Sequence, residues 1–251
     1  MRAMTPDFPV LRALGAFIRV ASLAAFLAGC AAPPAPLSNG VSTPLAEDAL
    51  RAVEAAPGGA LYAVDAGQSQ VRIFVFRAGR APALGHNHVL TVPQLEGRLW
   101  TPEQGLAGAE FALGFRLDQM LLDPPDVRTE AGAGWASVLS PEAIAATREH
   151  MLGPDNLQAD NFPWVRLRSL QIAGEAPHLA AELEIELHGQ KRTHWVALEA
   201  RPAGEGWTVR GGLVLRQSDY GVRPYSVLGG LLAVQDELVI DFRLSLHKAA
   251  R

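Results

Sequence analysis

One cysteine stands in the 251-residue chain, Cys30, so no internal disulfide is available. There is no basic excess: 22 Lys and Arg stand against 26 Asp and Glu, a net charge of −4. That excludes a broad phosphate-neutralising face and makes nucleic acid the wrong partner. No hydrophobic run is long enough to span a bilayer as a helix, since the apolar stretch Val20 to Leu27 is far shorter than the roughly 20 residues required. Catalytic signatures are missing as well. No Gly-x-Ser-x-Gly elbow surrounds a serine, and nothing places Ser218, Asp219 or Ser226 beside a histidine. The pairs Gly211-Gly212 and Gly229-Gly230 lack the strand, loop and helix context of a phosphate cradle. A non-enzyme is expected. What is present is ordinary globular composition, 49% hydrophobic and 19% charged, which excludes disordered and collagenous classes.

The first thirty residues read as a signal rather than as fold. Arg2, Arg12 and Arg19 precede the Val20 to Leu27 run, and Ala28-Gly29 then lead into the cysteine, a positive n-region, short h-region and small-residue cleavage site. Leu27-Ala28-Gly29-Cys30 also resembles the lipobox of bacterial lipoproteins, in which the cysteine becomes the lipidated first residue. Lipidation of Cys30 accounts for the odd thiol of an exported chain. The expected organisation is a lipoprotein signal peptide over 1–29, an Ala/Pro-rich tether over 30–59 and a β-barrel domain over 60–251. Processing leaves 19 basic and 25 acidic residues, a charge of −6, so an anionic membrane surface would repel the protein and the lipid has to hold it. The expected location is the bacterial cell envelope, lipid-anchored and facing the periplasm.

Beyond Ala60 the pattern alternates. Phe111, Leu113, Phe115 and Leu117 interleave with Glu110, Ala112, Gly114 and Arg116. Leu183, Ile185 and Leu187 interleave with Glu182, Glu184 and Glu186, and Leu238 to Leu246 repeats the pattern with Val239 as its exception. This is the period of strands with one wet face. Further strands are expected over Leu61–Val64, Val71–Phe76, Leu95–Trp100, Trp164–Ile172, Thr193–Ala200, Trp207–Val209 and Gly212–Gln217. Turn residues at His188-Gly189-Gln190-Lys191 and Ala203-Gly204-Glu205-Gly206 predict hairpins, hence antiparallel neighbours. One helix interrupts, with Ser140 as N-cap, Pro141 at its first position and Gly153-Pro154 as its stop. Asp123-Pro124-Pro125-Asp126 reads as a loop with solvated carboxylates. The expected fold is all-β, an antiparallel barrel of about eight strands with one inserted short helix.

Several stretches resemble the YceI-like family of lipocalin-like barrels. Tyr62, Val64 and Asp65 followed by Ser69, Val71, Ile73 and Val75 match its opening strands, and Gly97 leads another. His150-Met151-Leu152 with Phe162-Pro163-Trp164-Val165, Leu187-His188-Gly189 running through Thr193 to Val196 and Leu198, and Ser218-Asp219-Tyr220-Gly221 complete the series. Departures are Gln68 and Gln217, an insertion within Val127 to Arg148, and the subgroup-like stretches Leu84-Gly85-His86-Asn87-His88 and Pro224 to Gly230. The resemblance implies an amphiphilic isoprenoid, quinone-like or fatty-acyl lipid in an apolar lumen. The lumen candidates are Phe111, Leu113, Phe115, Leu183, Ile185, Val196, Leu198, Leu213, Leu215, Ile240 and Phe242; periodicity alone favours an interior filled with these side chains, and the resemblance favours a lumen.

His86-Asn87-His88 is the one dense group of candidate ligands. Two histidines at i and i+2 on an extended segment project to one side, which suits capture of a metal, and a third ligand would come from His150, His188 or Asp219. A metal- or haem-binding redox accessory is therefore the alternative to lipid binding; a loop staple or a polar headgroup contact is the other role open to the pair. The expected partners are a hydrophobic small molecule, the membrane through Cys30 and a second copy in a homodimer.

Overall fold

The computed structural model describes residues 53–54 and 56–249. The expected signal, Cys30 and most of the tether lie outside these residues. Twelve strands follow in order: β1 (Gly59–Val64), β2 (Gln70–Ala78), β3 (His88–Thr91), β4 (Glu96–Pro102), β5 (Glu110–Arg116), β6 (Leu121–Leu122), β7 (Trp164–Glu175), β8 (His178–Leu187), β9 (Gln190–Ala203), β10 (Gly206–Arg216), β11 (Ser226–Val227) and β12 (Leu232–Lys248). Helix α1 spans Pro125–Glu130 and α2 spans Pro141–Leu152.

Eight strands close into a ring, β1-β4-β5-β7-β8-β9-β10-β12, because β1 pairs with β4 on one edge and β12 on the other. All pairings are antiparallel, and closure removes the free edges that would template aggregation. The 17-residue β12 carries the closure. Its last residues pair with β1, and its first two thirds pair with β2, with a register shift between Val234 and Leu238 that lets the strand bend between neighbours. The chain turns from β1 into β2 on a capped bend in which the Asp65 carboxylate accepts from Gln68 N at 3.2 Å and Gln68 Nε2 at 2.8 Å, which gives the departure at Gln68 a local structural role. From β2 the sheet extends through β3 to β6 as a flap on one end of the ring.

The expected hairpins are present. Leu187 pairs with Gln190 across His188 (φ 51°) and Gly189 (φ 70°), both left-handed as a two-residue turn of the I′ kind demands, and a Cβ on Gly189 would lie 2.8 Å from the Phe162 ring. The stretches 207–209 and 212–217, expected as two strands, form one, since Gly211 and Gly212 stay in register with Phe242 and Asp241. β3, β6 and β11 have four, two and two residues, below the length at which alternation is readable. The wet face carries Arg168–Glu184 and Arg166–Glu186 pairs at 2.8 and 3.3 Å. The barrel's contacts reach back into the segment before β1, where Val53 is buried and Trp100 Nε1 donates to the Ala56 carbonyl at 3.3 Å. Among the described residues no helix is long and apolar enough to cross a membrane.

Helix α2 starts as expected: Ser140 accepts from Ala143 N at 3.2 Å, and Pro141 opens the first turn. It buries no side chain completely; Ile144, Met151 and Leu152 pack against the core, and Arg148 donates to the carbonyls of Met120 and Asp118. Residues 125–130 correct the reading of Asp123-Pro124-Pro125-Asp126 as a solvated loop. Pro125 at the first position and Asp126 in the first turn start helix α1; Asp126 is exposed as expected, whereas Asp123 is buried.

Candidate functional site: an apolar chamber with a polar mouth

The inward positions of the ring do not fill it. They enclose a cavity of about 130 Å³ whose lining contains no polar side chain. Ten of the eleven lumen candidates lie on its wall: Phe111, Leu113 and Phe115 from β5, Leu183 and Ile185 from β8, Leu198 from β9, Leu213 and Leu215 from β10, and Ile240 and Phe242 from β12. Val196 is buried in the core but is not on the wall. The wall also includes Val71, Leu99, Ala181 and Ala200, which obey the same alternation, together with Ile172 beyond the register shift of β7 and Leu106 from the loop between β4 and β5, which do not. A dry cavity of about this size, lined by Leu, Ile and Phe, excludes water and accepts only apolar matter.

A second chamber, about 330 Å³, shares Ile73, Phe115, Val165, Leu215 and Ile240 with the first, so the two are contiguous. It lies at the end of the barrel bearing the β3–β6 flap and is roofed by Ala146, Thr147, His150 and Met151 of α2, with Tyr225 from the segment before β11. Here the lining becomes mixed. Thr147 Oγ1 donates to Ala143 O, Asn156 Nδ2 to Arg223 O and Gln217 Nε2 to Gln235 O, so these donors are committed to the frame. His150 instead packs edge-on against Tyr225 with centroids 4.5 Å apart.

His88 is the most firmly held polar group of this chamber. Its Nδ1 donates to Asp123 Oδ2 at 2.6 Å, and Asp123 Oδ1 accepts from Val89 N at 3.0 Å and Arg128 Nη1 at 2.6 Å. Arg128 in turn donates to the carbonyls of Asn87 and Ser137 and to Ser137 Oγ at 2.9–3.0 Å. Burial pushes the Asp123 carboxyl up; the hydrogen bond and charge of His88, the Val89 N–H and Arg128 outweigh it and hold the group below the usual carboxylate range. Because a carboxylate only accepts, His88 carries its proton on Nδ1 when neutral, which leaves Nε2 as an acceptor in a chamber otherwise mostly apolar.

The two histidines of the 86–88 stretch take separate partners. β3 begins only at His88; His86 precedes it in an exposed loop, with Nδ1 3.1 Å from Ser137 Oγ. Between them Asn87 accepts from Arg77 N at 2.9 Å and donates to Gly134 O at 3.1 Å. All three side chains therefore pin the excursion over residues 123–137 that leads into α2. The other candidate ligands are dispersed. His150 is on the lid, while His188 Nδ1 donates to the Tyr220 carbonyl at 3.1 Å. Asp219 acts on His194, whose pKa burial lowers, and His194 Nε2 is 2.9 Å from the buried Tyr220 hydroxyl, pushed up to about 12 by burial. Ser218 bonds Asp236 rather than a histidine. Among the described residues no three His, Cys, Asp or Glu side chains converge as a metal-holding group. The residue that sequence reasoning missed is Asp123; the Pro-Pro-Asp start of a helix just after it was the available signal.

The model of the YceI-like domain matches residues 62–246. Among solved structures, BcnA of Burkholderia cenocepacia superposes with a TM-score of 0.53 at 14% identity, covering 72% of this chain and 98% of that one. A Campylobacter jejuni YceI protein gives 0.43 at 6% identity, covering 64% and 85%. The likeness to BcnA, at this identity, is one of fold. A comparison with curated proteins finds no match.

Proposed function

The chain belongs to the YceI-like family, and from that premise we propose that it is a binding protein of the bacterial cell envelope, not an enzyme, that holds one amphiphilic lipid by its apolar tail. The observation that carries this reading is the adjoining pair of chambers, wholly apolar within and polar only toward the mouth. An isoprenoid, quinone-like or fatty-acyl chain gains about 0.8 kcal/mol for each methylene moved from water into such a lining. The head stays at the mouth, where the His88 Nε2, the His150 ring and the Tyr225 hydroxyl offer hydrogen bonds to it. The buried Asp123–Arg128 pair fixes the His88 ring before the ligand arrives, so its orientation costs nothing on binding.

Native mass spectrometry of the full chain purified from membranes, followed by organic extraction, tests this. The expected result is one amphiphile per chain, lost on prolonged detergent exchange. Absence of any extractable amphiphile, together with no uptake of a fluorescent fatty-acyl or prenyl probe, overturns it.

The anchor belongs to the same proposal. A lipidated Cys30 holds the barrel at the membrane against salt, and Cys30→Ser is expected to make the protein releasable by a salt wash with its β-sheet circular dichroism unchanged. Retention in salt-washed membranes with no acyl group found by mass spectrometry overturns that part alone.

A further inference from the structure

The open end of the barrel is bordered by two segments of unusual composition. Residues 77–92 and 220–235 contain three arginines, Arg77, Arg80 and Arg223, and no Asp or Glu, in a chain whose net charge is negative. They are joined in space: Arg80 N and Ala81 N donate to the carbonyls of Gly230 and Leu231 at 3.0 Å, and Arg80 Nη2 reaches Gly229 O at 3.1 Å. All three arginines are exposed, and none of them forms an ion pair among the described residues. The same segments hold two aliphatic side chains in solvent, Leu84 at 67% exposure and Leu228 at 70%. Leu228 occupies the tip of the turn between β11 and β12 with φ 52°, a left-handed conformation that leucine rarely adopts, although two glycines follow it. Tyr225 of the same segment borders the mouth itself.

We propose that this rim docks on an anionic lipid bilayer, with Leu84 and Leu228 entering the headgroup boundary and the three arginines meeting lipid phosphates. The mouth then faces the surface from which an amphiphile would be drawn, and the tail passes into the chamber with little exposure to water. The purpose of the docking rests on the lipid-binding reading above; the docking itself does not. Charge complementarity selects the occupant. A cationic edge bearing two isolated leucine tips and an interfacial tyrosine matches a bilayer surface, where basic residues meet anionic headgroups and amphipathic rings settle at their level. Helix α2 carries the exposed acids Glu142 and Glu149, so the charge complementary to the surface lies on the two loops.

The tether permits this orientation. The chain enters the barrel at Gly59, paired with Pro102, at the end opposite the mouth. Twenty-two residues, 31–52, lie between Cys30 and the buried Val53, a reach of about 75 Å when extended. Strand β12, the longest of the barrel with 17 residues, spans only about 55 Å. A lipid at Cys30 and the rim therefore reach the same membrane.

The test uses the full chain with Cys30→Ser, so that no covalent lipid contributes, sedimented with vesicles of phosphatidylethanolamine and phosphatidylglycerol or of phosphatidylcholine alone. Binding to the anionic vesicles is expected, weaker to phosphatidylcholine and weakened by salt. The pair Leu84→Asp and Leu228→Asp should lower it at least about tenfold, and Arg77→Gln with Arg80→Gln should remove most of its salt dependence. The amount of amphiphile per chain in native mass spectra should not change, since none of these four residues lines a chamber. Failure of the parent protein to sediment with anionic vesicles, or equal sedimentation of the rim variants, overturns the proposal. So does a rim substitution that converts a dimer to a monomer without affecting vesicle binding, which would assign the rim to a second copy. Vesicle binding without any bound amphiphile leaves the docking standing and defeats the lipid-carrier reading instead.

Discussion

Asp123→Ala is expected to destabilise the protein by about 3–5 kcal/mol in urea denaturation, because it strips the counter-charge from a guanidinium that is itself buried. The carboxylate is fully buried and satisfies His88, Val89 N–H and Arg128 together, and no other described acid bonds Arg128. The effect is one of unmaking a pair rather than of the pair's intrinsic worth. Adding Arg128→Met should therefore recover part of the loss, and a double-mutant cycle that is strictly additive would show that the two residues do not act together. The acid limb reports the same group. Its folded pKa lies below the unfolded value of about 3.9, so the stability it contributes is complete above that value and drains as pH falls through it toward the folded pKa. In the Asp123→Ala protein the decline of stability below about pH 4 should be correspondingly shallower. Tail binding should survive the substitution, whereas discrimination between head groups should fall, since the His88 ring loses the partner that sets its tautomer and direction.

The barrel was legible where one face of a strand is wet. Glu182, Glu184 and Glu186 alternate with Leu183, Ile185 and Leu187 because the first set is on the outer face, where Glu184 and Glu186 meet Arg166, Arg168 and Lys191, while the second lines the two chambers, and a period of two states that directly. Asp123 was not legible in this way. Its neighbours in sequence are prolines, which mark a bend whether the carboxylate faces water or protein, and its partners His88 and Arg128 become informative only when β3 and α1 are folded around it. The 86–88 stretch shows the same limit from the other side. Reading it as extended gave both rings a common direction, but the strand starts at His88, and each ring follows its own partner on the excursion that the sequence displayed only as an insertion. Whether the interior is hollow lies deeper still. Alternation states which residues point inward and says nothing of whether their volumes fill the ring. Here the space depends partly on Ala181 and Ala200, two small residues among large ones on the wall.

That dependence makes Ala181 the most informative position in the lumen. Ala181 and Val196 are cross-strand partners on β8 and β9, equally buried, yet only Ala181 is on the cavity wall. Ala181→Phe is expected to place its ring in the inner chamber with a stability change of less than about 1 kcal/mol, because the added atoms enter space rather than neighbours. The ring would take the room of about four methylenes of ligand tail, so the loss of binding is about 3 kcal/mol, or roughly a hundredfold in affinity for a long-chain probe. Val196→Phe has no such space and should cost about 1–3 kcal/mol by overpacking, with a smaller change in affinity. Fluorescent fatty-acyl titration and urea midpoints on the two variants separate the outcomes. If Ala181→Phe proves as destabilising as Val196→Phe while neither protein nor parent takes up the probe, the ring is a packed core and the chamber is no binding site. If the two effects cross as described, the hollow is where the tail lies, and the length of tail accommodated can be measured by shortening the probe until Ala181→Phe no longer discriminates against it.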